Sequence, residues 1–301
     1  MPTSSAYASA PRAGAEGDVA WRDRFFSADD GLKLYFRDYG DPLASATPLL
    51  CLPGVTRSSK DFHDLAVRHA SERRVVCPDY RGRGRSAYDP DWRNYQPSTH
   101  VADLLALLAV AGLDRVVALG TSAGGILAMA LAVARPAALA AVVLNDIGPE
   151  VGDEGGARIL RESGRDVRPA DWAEAARALR DTWGGAYPRW GEDQWAAAAR
   201  QTFIEADEGG LRLDYDLNIV RALRATGGIP AETGRWFSAL GSIPALAIRG
   251  AISDILSERA FDQMAIMKTD LICVTVPDVG HAPDLSEPEC EAALDAFLAR
   301  F

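Results

Sequence analysis

The chain has 301 residues, 48% of them hydrophobic and 25% charged, and a formal net charge of −10. That supplies a sizeable core, in one large α/β domain or two smaller ones, and it disfavours nucleic acid and anionic membranes as partners. No apolar run approaches the roughly 18 residues that a membrane span requires.

Residues 1–20 are rich in Ala, Ser, Pro and Gly and lack the basic-then-apolar pattern of a secretory signal, so they read as a disordered tail. Alternating residues on either side of Asp29-Asp30-Gly31 predict a β-hairpin. Short continuous apolar runs follow at 48–52, 74–77, 116–119, 141–144, 245–248 and 271–276. Such runs suit strands covered on both faces in a parallel sheet. Helical patterns separate most of them. One spans 101–108 after the candidate caps Ser98 and Thr99, and another opens at Ser286-Glu287-Pro288-Glu289. The alternation implies an α/β fold.

Residues 147–229 break the rhythm. They show amphipathic helical patterns at 171–183 and 193–206, no clear buried strand, and four of the seven tryptophans: Trp172, Trp183, Trp190 and Trp195. An inserted helical cap is the simplest account. The four cysteines, Cys51, Cys77, Cys273 and Cys290, show neither metal spacing nor a disulfide framework. The first three lie in apolar runs, which predicts buried free thiols and a reducing, cytoplasmic setting.

Chemistry concentrates at Gly120-Thr121-Ser122-Ala123-Gly124, a Gly-x-Ser-x-Gly pattern between an apolar strand and an apolar helix. A serine on that turn is a nucleophile elbow, with its hydroxyl projecting above the sheet edge. Its partners should follow in the order nucleophile, acid, histidine. Of the four histidines only His281 lies after Ser122, just beyond the last strand-like run. The favoured acid is Asp254, in the loop after the strand at 245–248; Asp146, at the end of the preceding run, is the competitor. Backbone N–H groups of Ala123 and Val55 would form the oxyanion hole, with Gly54 allowing close approach to substrate. Arg57, Trp183 and Trp190 are further candidates for substrate contact. Arg81-Gly82-Arg83-Gly84-Arg85 reads as a structural loop whose arginines pair with acidic neighbours, since a lone basic run in an acidic chain is poor evidence for nucleic acid.

Taken together, Leu52-Pro53-Gly54, the Asp79 to Ser86 motif, the elbow, the 250–254 loop and Gly280-His281 resemble the α/β-hydrolase superfamily over most of the chain. Within it the chain looks like bacterial capped serine hydrolases, which include esterases, enol-lactonases and meta-cleavage-product hydrolases. The resemblance implies an α/β-hydrolase fold: a mostly parallel central sheet flanked by helices, built from residues 21–146 and 230–301, with a helical cap at 147–229. Ser122 stands where haloalkane dehalogenases and epoxide hydrolases carry aspartate, and Pro53 stands where relatives often carry histidine. The expected activity is hydrolysis of a small or medium carboxylic ester or lactone through an acyl-enzyme on Ser122, with no metal or organic cofactor. The alternatives are carbon–carbon bond hydrolysis of a vinylogous diketone and a non-catalytic receptor or scaffold on the same fold.

Overall fold

A computed structural model describes residues 21–228 and 230–301. The expected tail at 1–20, and Ile229 at the expected end of the insertion, lie outside the described residues. The chain opens with the hairpin β1 (Arg22–Ser27) and β2 (Lys33–Tyr39), paired antiparallel around Gly31 at φ +86°. There follow β3 (Leu49–Leu52), α1 (His63–His69), β4 (Val75–Asp79), α2 (Pro97–Val110), β5 (Val116–Thr121), α3 (Ala123–Ala134) and β6 (Leu139–Asn145). Next come α4 (Asp153–Glu162), α5 (Trp172–Trp183), α6 (Glu192–Thr202), β7 (Phe203–Glu205), β8 (Leu211–Leu213) and α7 (Asn218–Ala225). The chain closes with α8 (Thr233–Ser238), β9 (Ala245–Gly250), α9 (Glu258–Met267), β10 (Ile272–Val276) and α10 (Pro288–Leu298).

Eight strands form one sheet in the order β1-β2-β4-β3-β5-β6-β9-β10, parallel from β4 to β10. Successive side chains of a strand face opposite sides, which explains the unbroken apolar runs. Leu50, Leu52, Val116 and Ala118 join α2, α3, α8 and α9 in one core layer. Leu49, Cys51, Val117 and Leu119 join α1 and α10 in the other. In β10 the same kind of run has a different fate. It is an edge strand, so Cys273 is exposed while Cys51, Cys77 and Cys290 are buried. The expectation of a buried Cys273 is therefore corrected: an apolar run does not say whether a neighbour covers it.

Helix starts follow the capping rules with one adjustment. α2 begins at Pro97, so Ser98 and Thr99 lie inside its first turn rather than capping it. Proline suits that position because its missing N–H would have had no helical partner. Asp171 caps α5, its carboxylate accepting from the Glu174 N–H.

Between β6 and β9 the chain forms α4 to α8 and the two-stranded β7–β8 hairpin, and α5 to α7 with the hairpin build a third core cluster that includes Trp195, Phe203, Leu213 and Ile219 and takes in Tyr95 from before α2. The hairpin is a departure from the all-helical expectation. The helical pattern at 193–206 ends at Thr202, and the chain turns into β7. This segment sits over the carboxyl ends of the parallel strands. Tyr215 bridges to Arg83, and the Gly84 N–H donates to the Asp214 carbonyl at 3.0 Å.

Arg81 is fully buried and pairs with Asp89, Asp103 and Asp30, while Arg85 pairs with Asp23. Both behave as the expected structural arginines. Arg83 departs from that pattern: its guanidinium donates to the backbone carbonyls of Val55 at 2.8 Å and Arg81 at 2.7 Å. Burial pulls its pKa down to about 10.

Candidate active site

Ser122 sits between β5 and α3 at φ +54°, ψ −119°. This left-handed conformation strains a non-glycine residue by about 1–3 kcal/mol and recurs at functional sites. Glycines make the turn possible. A Cβ on Gly124 would collide with the Leu52 carbonyl, and one on Gly120 would collide with the Gly124–Gly125 backbone. The carbonyl of Ser122 accepts from the N–H groups of Gly125 and Ile126. Ala123 opens α3, so its N–H is one of the helix-terminal donors without a partner in the helix.

Ser122 Oγ lies 2.8 Å from His281 Nε2, and His281 Nδ1 lies 2.7 Å from Asp146 Oδ2. A carboxylate can only accept, so Nδ1 carries the proton and leaves Nε2 free to accept from the serine hydroxyl. Asp146 directly follows β6, also at φ +54°, and is fully buried. Its carboxylate accepts from the Gly250 N–H at 2.9 Å and the Ser253 hydroxyl at 2.5 Å. These bonds fix it against the imidazole.

Asp254, the favoured acid from the sequence, does not hold His281. Its carboxylate takes a bidentate bond from Arg158 on α4, both distances 2.6 Å, and Arg158 holds its pKa below the usual carboxylate range. The physical reason is register. Thr121 pairs with Asn145 across β5 and β6, so the residues that follow, Ser122 and Asp146, leave neighbouring strand ends. The loop after β9 instead contributes Ser253, which supports Asp146 from behind.

The loop Pro53-Gly54-Val55 lies against the serine: a Cβ on Gly54 would sit 3.9 Å from Ser122 Cβ and 3.2 Å from Arg57 Cγ. Arg83 holds the Val55 carbonyl from the far side. Ser122, His281, Val55, Gly54 and Arg57 all border one cavity of about 510 Å³. The insertion supplies much of the remaining wall, including Trp183, Tyr187, Trp190 and Trp195. Trp190 stacks on Tyr187 with ring centroids 4.0 Å apart, and Arg158 lies over Trp183 at 4.8 Å. Arg57 pairs with Asp61 and also reaches Thr202 and Gln201 on α6.

The histidine loop is pinned from two directions. Asn145 Nδ2 donates to the Pro283 carbonyl at 2.8 Å. From the insertion, the Tyr187 hydroxyl is shared between the carbonyls of His281 (3.1 Å) and Ala282 (2.9 Å), and the Gly280 N–H donates to the Ala186 carbonyl at 2.7 Å. Arg189 forms an ion pair with Asp278 in the same loop. Sequence reasoning missed Tyr187, because it falls in a loop between helices where periodicity carries no signal. It also missed Asp61, although the i,i+4 spacing from Arg57 was a usable sign.

Comparison with known proteins agrees with the fold. The model of the alpha/beta hydrolase family matches residues 49–293. A 3-hydroxybutyrate-oligomer hydrolase of Cupriavidus necator is 33% identical over 274 residues, covering 88% of this chain and 92% of its own. A 2-(acetamidomethylene)succinate hydrolase of Mesorhizobium japonicum is 24% identical, covering 80% of this chain and 84% of its own. The crystal structure of an alpha/beta hydrolase from Novosphingobium aromaticivorans superposes with a TM-score of 0.89 at 45% identity, covering 93% of this chain and 99% of that one.

Proposed function

This chain belongs to the alpha/beta hydrolase family, and from that premise we propose that it is a serine hydrolase of carboxylic esters, with Ser122 as nucleophile, His281 as base and Asp146 as acid. The observation that carries the reading is the unbroken chain from Ser122 Oγ through His281 to the buried Asp146 carboxylate. His281 Nε2 takes the hydroxyl proton as Oγ attacks the ester carbonyl. The oxyanion is received by the N–H groups of Val55 and Ala123. His281 then protonates the leaving alcohol, and water attacks the acyl-enzyme with the same base to release the acid. Asp146 keeps the imidazole in the productive tautomer and stabilises the imidazolium.

The segment from 147 onward acts in this reading as a cap that shapes the substrate space. An ester substrate is supported by the relative named for cleaving 3-hydroxybutyrate oligomers, which matches nearly the whole chain. The aromatic side chains in the wall, Trp183, Tyr187, Trp190 and Trp195 among them, suit a small or medium acyl group.

Ser122→Ala is expected to lower p-nitrophenyl butyrate hydrolysis by at least about 10⁴-fold and to abolish labelling by a fluorophosphonate probe. Wild-type protein that neither labels nor turns over an ester would instead indicate a non-catalytic binding protein. Tyr187→Phe keeps the ring on Trp190 and removes only the hydroxyl that holds the histidine loop. It is expected to lower kcat about 10-fold with little change in KM, because a small displacement of the base is costly. A change confined to KM would assign Tyr187 to substrate contact alone.

A further inference from the structure

Arg83 stands in an environment that stability alone does not explain. It is 3% exposed, and among the described residues it pairs with no carboxylate. Asp103 and Asp216 act on it only from a distance. An unpaired buried charge costs stability, and a methionine of similar length would not carry that cost. The guanidinium bonds backbone instead. Nε donates to the Val55 carbonyl at 2.8 Å, and Nη1 to the Arg81 carbonyl at 2.7 Å. Nη1 also approaches Nε2 of the buried His100 at 3.4 Å, and the Tyr80 and Tyr95 rings lie 5.5 and 6.0 Å from the guanidinium carbon. Contacts on this many sides lock the rotamer.

What Arg83 grips is a turn. The Arg57 N–H donates to the Gly54 carbonyl at 3.1 Å, closing a four-residue turn with Val55 and Thr56 in the middle. A trans peptide sends its C=O and N–H in opposite directions, so this bond aims the Val55 N–H out of the turn. The following peptide, between Val55 and Thr56, is fixed by Arg83, and among the described residues no other side chain bonds the backbone of the turn. With glycine at its first position the turn has little stiffness of its own. Val55 and Thr56 border the cavity and are half-buried, so that side of the turn has no packing to rest on. Arg83 supplies the support from the opposite side.

We propose that Arg83 is a positioning residue of the reaction: its Nε–H bond sets the turn so that the Val55 N–H meets the oxyanion. The proposal rests on the ester-hydrolase reading and adds to it the group that pre-organises one half of the oxyanion hole. The missing carboxylate partner fits this task, because a carboxylate would compete with the Val55 carbonyl for Nε. Arg83 then acts on the transition state and leaves substrate binding alone, since the oxyanion exists only there.

The test is the pair Arg83→Met and Arg83→Gln. Both side chains lack the charge and the bond to Arg81. Glutamine places its amide nitrogen where arginine has Nε, and methionine places a methyl group there. Arg83→Met is expected to lower kcat for p-nitrophenyl butyrate about 100-fold with KM within about threefold of wild type, and Arg83→Gln to recover at least about 10-fold of that loss. A trifluoromethyl ketone, which forms a tetrahedral oxyanion with the serine, should bind Arg83→Met more weakly by the same factor as kcat falls. The matching trifluoromethyl alcohol forms no oxyanion and should bind as it does to wild type. Rates are divided by the fraction of protein that a fluorophosphonate labels, so a loss of folded protein drops out. Equal losses in the two variants, a loss confined to KM, or unchanged ketone affinity in Arg83→Met would overturn the positioning role while leaving the esterase intact. Wild-type protein that neither hydrolyses the ester nor binds the ketone would overturn the ester-hydrolase reading and the positioning role with it.

Discussion

Asp146→Asn is expected to lower kcat about 10⁴-fold, while Asp254→Asn stays within a few-fold of wild type. The asparagine amide is nearly the same size as the carboxylate, and its oxygen can still accept from the Gly250 N–H, although the NH2 that replaces Oδ2 gives up the bond from the Ser253 hydroxyl. The cavity around it is therefore kept. What changes is the proton on the imidazole. An amide N–H facing His281 Nδ1 donates where the carboxylate accepted, so the ring proton moves to Nε2. The nitrogen facing Ser122 can then no longer take the hydroxyl proton. Asp254 has no such influence, since its bonds go to Arg158 and its side chain is 40% exposed. A partly exposed pair of this kind contributes at most about 1 kcal/mol. Steady-state kinetics on a p-nitrophenyl ester, with circular dichroism to establish folding, separates the two variants. A collapse of kcat in Asp254→Asn with an active Asp146→Asn would return the acid to the loop after β9.

Arg81→Met should destabilise the fold by about 3–5 kcal/mol, the cost of stranding buried charges by removing their partner. Arg81 binds Asp103 through two nitrogens, at 2.8 and 2.6 Å, and Asp89 at 2.5 Å. Both carboxylates are buried, whereas Asp30, its third partner, is largely exposed and loses little. Methionine fills much of the volume, so the loss is electrostatic rather than a cavity. The midpoint of urea unfolding measures it. Adding Asp103→Leu should recover part of the loss, since it removes one of the stranded charges. Activity should fall too, because Arg81 anchors the loop from which Arg83 holds the Val55 carbonyl. A variant as stable as wild type would mean that Asp89 and Asp103 find other compensation.

The elbow and the histidine were legible because their signals are local: glycines that make room for a strained turn, and a single histidine downstream. The strands were legible because a doubly covered strand has to be apolar throughout. The acid was not. Asp146 and Asp254 both follow strand runs and both satisfy the chain order, so only the alignment of β5 with β6 decides which carboxylate meets the imidazole. Cys273 was misplaced for a related reason, since edge and interior positions in a sheet are set by partners distant in sequence. The β7–β8 hairpin was hidden because its strands have three residues each, too few for an alternation to stand out. Arg57 and the tryptophans could be suspected of facing the cavity, but the pairing with Asp61 emerges only when the turn after β3 brings the two together.

Tyr187 has a consequence for how this protein can evolve. Its ring is part of the cavity wall and stacks on Trp190, while its hydroxyl holds the backbone of His281 and Ala282. In the proposed mechanism, fit to the acyl group and alignment of the proton acceptor thus share one side chain. A substitution at Trp190 that reshapes the cavity for a new ester also presses on His281 through Tyr187. If Ser122 and His281 act as proposed, selectivity and speed are coupled traits in this chain, and adaptation to a new substrate passes through variants that have traded one for the other.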